Sequence, residues 1–160
     1  AVNNNIATIR DLYDDSYLII YVDHAGWRGF DNVVNSAYLQ KNDIFLLPST
    51  ILDTACATCT ALWGYNPEWG AAAGGATFCI ENIRRGAMVY MGAVDNSYWH
   101  RMYDNILEGV FVEGKTIGEV YLEARNEEYT NCIAEPPPWP CGDCYYALIG
   151  DPTFEPRWWK

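Results

Sequence analysis

The chain has 160 residues, enough for a single domain with one sizeable core. Half of those residues are hydrophobic and 19% are charged, and no apolar run reaches the ~20 residues a spanning helix needs, which excludes a disordered chain and a helical membrane protein. Ten basic against 21 acidic residues give a formal net charge of −11, and Arg84-Arg85 is the only basic cluster. Phosphate backbones and anionic surfaces are therefore repelled, and neither nucleic acid nor a membrane span is expected as a partner.

Taken in order, Ile6, Ile9, Leu12 and Tyr13 recur at spacings of three and four behind Asn3-Asn4-Asn5. That pattern predicts an amphipathic helix within residues 1–16 whose first amides the Asn side chains can satisfy. Asp14-Asp15-Ser16 turns the chain into an apolar run, Tyr17 to Val22, which predicts a strand ending at Asp23-His24-Ala25-Gly26. Residues 26–42 show no clean period and are expected to form an irregular loop with one helical turn. Pro48 cannot donate to a ladder, so a second strand is expected from about Ser49, running through Thr50-Ile-Leu-Asp53 to Ala55-Cys56. Asp53 inside that apolar strand reads as a hydrogen-bonded structural carboxylate, with orientation of a site as the other reading.

Residues 63–75, rich in Gly, Ala, Pro and Trp, read as a loop, residues 77–85 as a helix and 87–91 as a third strand. Trp99, Met102, Tyr103, Ile106 and Val110 follow at helical spacing. Thr116 and Glu119 form a capping box that opens a further helix with Ile117, Val120, Tyr121 and Ala124 on its apolar stripe. Residues 131–144, with Pro136-Pro-Pro-Trp-Pro140, are expected to be irregular and polyproline-like, and Tyr145 to Ile149 to be the last strand, closed by Gly150-Asp-Pro152. This alternation predicts an α/β fold with a largely parallel sheet flanked by helices.

Two of the predicted strands end in side chains able to react. His24 and Cys56 are 32 residues apart, a length that suits one crossover between neighbouring parallel strands. Such strands would bring both residues to the carboxyl edge of the sheet, where an imidazole can activate a thiol.

Four motifs in the same order resemble those of the gingipain-like cysteine peptidases, which share the caspase-like fold. They are Leu18 to Gly26, Leu47 to Cys56, Gly86-Ala-Met-Val-Tyr-Met-Gly92 with Ser97-Tyr-Trp99, and Leu148-Ile-Gly-Asp-Pro-Thr153. The resemblance implies a Cys56-His24 dyad hydrolysing peptide bonds, with the oxyanion held by backbone N–H groups at Gly26 and Cys56. Tyr98 and Trp99 would form a wall of the pocket for the P1 side chain, and neither a cofactor nor a metal is implied. It also implies that residues 1–160 are one caspase-like domain without the family's amino-terminal portion, associating with that missing part or with another copy of itself.

The chain departs from the family pattern at Asp23 and Ala25, which stand where glycines usually flank the histidine, and at Cys59, which stands where a glycine follows the nucleophile. Cys59, Cys79, Cys132, Cys141 and Cys144 are candidates for disulfides, and so many cysteines suit an extracellular or cell-surface protein. The chain opens on Ala rather than Met, which fits a processed product. The two Cys-x-x-Cys pairs lie much further apart than zinc-ribbon spacing, so no metal is expected. Two functions stay open: a secreted cysteine endopeptidase, and a catalytically silent extracellular structural or assembly protein with its thiols in disulfides.

Overall fold

A four-stranded sheet splits the core into two layers. The computed structural model describes residues 6–26, 29–30, 34–59, 77–94, 102–134 and 146–155, with the backbone alone at 6–10, 102, 128 and 131–134. The strands are β1 (Leu18–Tyr21), β5 (Thr50–Asp53), β6 (Val89–Ala93) and β7 (Tyr146–Gly150), in the order β1-β5-β6-β7. β1, β5 and β6 run parallel, and β7 closes the far edge antiparallel.

The helices are α1 (Ile6–Asp15), α2 (Ser36–Lys41), α3 (Phe78–Arg84), α4 (Met102–Glu108) and α5 (Ile117–Ala134), with a π-helical turn at Gly109–Glu113. Alternate strand residues feed opposite layers, as the pleat requires. Ile51 and Tyr90 pack with Tyr13 of α1, Leu39 of α2 and Phe78 of α3. Leu52, Val89 and Met91 pack with Tyr103 and Ile106 of α4 and with Val120 and Ala124 of α5. Each fully buried large side chain of this kind stabilises the fold by ~2 kcal/mol, which is why β5 and β6, covered on both faces, are buried along their whole length.

Most expected elements are present within a few residues. Leu47, Pro48 and Ser49 lead into β5 at Thr50, as the proline requires. The capping box is formed: the Thr116 N–H donates to Glu119 Oε2 at 2.9 Å and the Glu119 N–H to Thr116 Oγ1 at 3.3 Å. Three expectations are corrected. Residues 25–35 are not merely irregular but hold a small antiparallel sheet of β2 (Ala25–Gly26), β3 (Gly29–Phe30) and β4 (Val34–Asn35), whose strands are too short to show a period. Asn35 then caps α2 by accepting from the Tyr38 N–H at 2.8 Å. α5 runs on to Ala134, so residues 131–134 are helical rather than irregular. Leu12 lies on the exposed side of α1, opposite the buried Tyr13. The Asn3–Asn5 cap, Trp99, residues 63–75 and the proline run lie outside the described residues.

The closing Gly150-Asp-Pro152 segment fastens β7 to both neighbours. Gly150 has φ +112, and a Cβ there would lie 2.0 Å from the Met88 carbonyl oxygen, so only glycine fits. The Asp151 N–H donates to that same Met88 carbonyl at 2.9 Å, and the Gly118 N–H at the start of α5 donates to the Pro152 carbonyl at 2.9 Å. The pair Arg84-Arg85 is no basic patch. Arg85 Nε meets the buried Glu81 carboxylate at 2.8 Å and its Nη1 reaches Asp43 at 3.2 Å, so the guanidinium ties α3 to the turn after α2.

Candidate active site

β1 and β5 are hydrogen-bonded parallel neighbours with Tyr21 opposite Asp53, and His24 and Cys56 each follow three residues later. The register alone therefore delivers both residues to the carboxyl edge of the sheet at the same level. Two bonds from Thr54 join the segments that carry them, and a third braces the histidine segment itself. The Thr54 N–H and Oγ1 both donate to the Tyr21 carbonyl, at 3.0 and 3.2 Å, and the Tyr21 hydroxyl donates to the His24 carbonyl at 2.8 Å. Asp23 accepts from the His24 backbone N–H at 2.7 Å, so it holds the main chain of the histidine rather than its ring.

The thiol loop, residues 54–59, is built around Asp53, which is 0% exposed. Its Oδ1 accepts from the Ala55 N–H at 2.8 Å, and its Oδ2 accepts from the Tyr90 hydroxyl at 2.7 Å and from the Thr58 hydroxyl. Two more tyrosines hold the adjoining main chain: Tyr103 donates to the Asp53 carbonyl at 2.5 Å, and Tyr146 to the Thr54 carbonyl at 3.3 Å. Burial pushes the Asp53 carboxyl up to about 6, against the opposing pull of its bonds from Thr58, Tyr90 and Ala55. Burial first, then the neighbouring carboxylate, push the Tyr90 hydroxyl up, so it remains a donor. The sequence flagged Asp53 as a structural carboxylate, and the structure adds the Tyr90 and Thr58 hydroxyls and the Ala55 N–H that satisfy it.

Within this loop Ala57 takes a left-handed conformation, φ 57, which costs a non-glycine residue ~1–2 kcal/mol. The chain reverses there, leaving Cys56 half-buried and Cys59 fully buried. Gly92 of β6 makes room for the reversed loop, since a Cβ at Gly92 would lie 2.7 Å from Thr58 Oγ1 and 3.2 Å from Cys59 Sγ. On the histidine side, neither Ala25 nor Gly26 is among the positive-φ residues, so alanine beside the histidine is no strain here. A Cβ at Gly26 would meet nothing within 4 Å among the described residues. Tyr21 stacks on Phe30 with ring centroids 3.7 Å apart, and Phe30 meets Phe78 edge-on at 4.6 Å, so the small sheet and α3 form an aromatic floor below both loops.

Among the other sequence-predicted residues, Cys56, Cys59 and Cys79 are thiols outside any disulfide. Tyr98, Trp99, Cys141, Cys144 and the Cys132 side chain lie outside the described residues. Among the described residues no three His, Cys, Asp or Glu side chains gather as a metal site, and no helix is long and apolar enough to cross a membrane. A cleft of about 200 Å³ lies elsewhere, lined by residues 105–127 of α4, the π-helical turn and α5. Its Lys115 is engaged by Glu113 at 2.9 Å and Glu123 at 2.6 Å.

Fold and site together define an α/β protein with helices on both faces of a mainly parallel sheet and a thiol and an imidazole presented at the carboxyl ends of adjacent strands. A solved structure described as "Structure of Protease" has the same fold: the TM-score is 0.62 at 18% identity, over 94% of this chain. This chain spans 38% of the length of that one. No protein-family model matches the sequence, and no curated protein matches it.

Proposed function

We propose that the chain is a cysteine endopeptidase of gingipain type, with a caspase-like fold and a Cys56-His24 dyad, acting outside the cell or at its surface. The observation that carries this reading is the parallel register of Tyr21 with Asp53, from which two reactive side chains leave adjacent strands at equal distance. The likeness in fold to a protease supports it. His24 takes the thiol proton as Cys56 Sγ attacks the scissile carbonyl, and backbone N–H groups at Gly26 and Cys56 hold the oxyanion. The tetrahedral intermediate collapses to a thioester as the C–N bond breaks and His24 protonates the leaving amine. His24 then takes a proton from water, which hydrolyses the thioester and restores the thiol. Tyr98 and Trp99 are assigned to the P1 pocket by the same resemblance, and the substrate is a peptide or protein.

Association with another chain belongs to the same proposal. β1 is the edge of the sheet among the described residues, and Ile20 and Val22 are 46% and 55% exposed. An unpaired apolar edge invites another strand. Light scattering that finds only monomers of about the 18.1 kDa chain mass speaks against this part.

The test is the chemistry of Cys56. The unreduced protein is labelled with iodoacetamide, and turnover of a fluorogenic peptide panel is measured for the native chain, Cys56→Ala and His24→Ala. Rapid Cys56 labelling that slows in His24→Ala, with turnover lost by about 10³-fold or more in either variant, supports the dyad. Labelling that is indifferent to His24, or a Cys56 blocked in a disulfide, leaves the silent structural protein as the reading.

A further inference from the structure

Cys56 and Cys59 form a Cys-x-x-Cys pair in sequence, yet the fold gives Cys59 a different neighbour. Cys59 and Cys79 are both 0% exposed and share one core cluster with Phe78 and Tyr90. The electrostatics of each thiol depend on the other. Backbone bonds fix both positions: the Cys59 N–H donates to the Ala93 carbonyl at 2.8 Å, and the Cys79 N–H to the Thr58 carbonyl at 3.2 Å. The left-handed Ala57 separates Cys56, on the partly exposed side of the loop, from Cys59 on the buried side.

We propose that Cys59 and Cys79 are a disulfide-forming pair, and that their bridge keeps Cys59 away from Cys56, leaving the nucleophile candidate as a thiol. The two thiols differ in a way that suits the exchange. Burial pushes Cys59 up, while the Cys59 thiol lowers Cys79, helped by its contact with Thr77. Both thiols are 0% exposed, so the exchange needs a local opening of the core that admits the reagent. With a low-molecular-weight disulfide such as oxidised glutathione, the Cys79 thiolate attacks one sulfur and expels the first glutathione as its thiolate, which takes up the proton Cys79 released. Cys59 then gives up its proton and attacks the Cys79 sulfur of the mixed disulfide, expelling the second glutathione. Two protein thiols lose two electrons, and one glutathione disulfide becomes two thiols.

The bridge between Cys59 and Cys79 stands apart from the peptidase reading, because its readout is bond connectivity and not turnover. The reduced, folded chain is treated with oxidised glutathione, unfolded in iodoacetamide, and cut without reduction by a protease that cleaves after alanine, which parts Cys56 from Cys59 at Ala57. The expected products are a Cys59–Cys79 linked peptide and a Cys56 outside any protein disulfide, either alkylated or carrying glutathione. A Cys56–Cys59 link overturns the proposal, as does a link from either buried cysteine to Cys132, Cys141 or Cys144, or alkylation of both Cys59 and Cys79. In Cys79→Ala the bridge cannot form, and the same oxidation is expected to lower Cys56 alkylation roughly tenfold as Cys59 turns to it. Unchanged Cys56 alkylation in that variant overturns the protective part.

Discussion

The two loops that meet at the candidate site are held in opposite ways. Residues 54–59 leave β5 almost wholly buried, with a carboxylate and three tyrosine hydroxyls bonded to them or to the strand end beneath. Residues 22–24 leave β1 exposed, kept in place by one tyrosine hydroxyl and one Asx contact. In a dyad the nucleophile gains most from fixed geometry, whereas the acid–base partner must move a proton to and from substrate and water. The contrast teaches that this fold places its order under the thiol and leaves the imidazole side open.

Replacing Asp53 is the strongest way to break that contrast. In Asp53→Asn the amide places a donor against one of the three donors that the carboxylate accepts from, at a cost of ~2–4 kcal/mol in urea unfolding. Loss of turnover is expected to accompany it as the thiol loop loosens. The sign of the pH dependence follows from a folded pKa of about 6 against an ordinary value of 3.8. The fold prefers the protonated carboxyl, so the contribution of this group is greatest below the ordinary value and declines as pH rises to the folded one. The stability advantage of the native chain over Asp53→Asn is therefore larger at pH 4 than at pH 7; an advantage equal at both pH values would show that the carboxyl is not shifted.

Gly92→Ala probes the same loop from below, because the added Cβ would sit 2.6 Å from the Tyr90 ring and 2.7 Å from Thr58 Oγ1. A loss of ~1–3 kcal/mol is expected from overpacking, read as a lowered denaturant midpoint. Tyr21→Phe acts on the other loop and removes only the hydroxyl that reaches the His24 carbonyl. Stability should fall by less than ~1 kcal/mol, while peptide turnover and the His24-dependent rate of Cys56 alkylation both drop several-fold. Unchanged turnover would show that this hydroxyl does not place the imidazole. Ala57→Gly has the smallest effect: relief of the left-handed strain offsets the greater freedom of the unfolded chain, for a net change within ~0.5 kcal/mol.

Much of this was legible along the chain, since β1, β5 and β6 are apolar runs, Pro48 marks where pairing begins, and Thr116 with Glu119 spells out a cap. The placement of His24 and Cys56 at one edge followed from a parallel pairing of their strands. What was not legible depended on distant partners. Nothing near Asp53 announces that Tyr90, Tyr103 and Tyr146 point their hydroxyls at it or at its neighbour. The left-handed turn falls on Ala57, which carries no glycine signal, and nothing in the Cys-x-x-Cys spacing announces that Cys59 packs into one core cluster with Cys79. The sheet at residues 25–35 was missed because two-residue strands have no period.

The donors around Asp53 and Thr54 also set an order of assembly. The Tyr90, Tyr103 and Tyr146 bonds span 37, 50 and 92 residues of chain. Contacts so far apart in sequence close late in folding. Until β6, α4 and β7 have all docked, the carboxylate stays in water and the thiol loop has no template. A partly folded chain thus lacks the support of the thiol loop, and under the proposed function Cys56 would become competent only when the last strand is home.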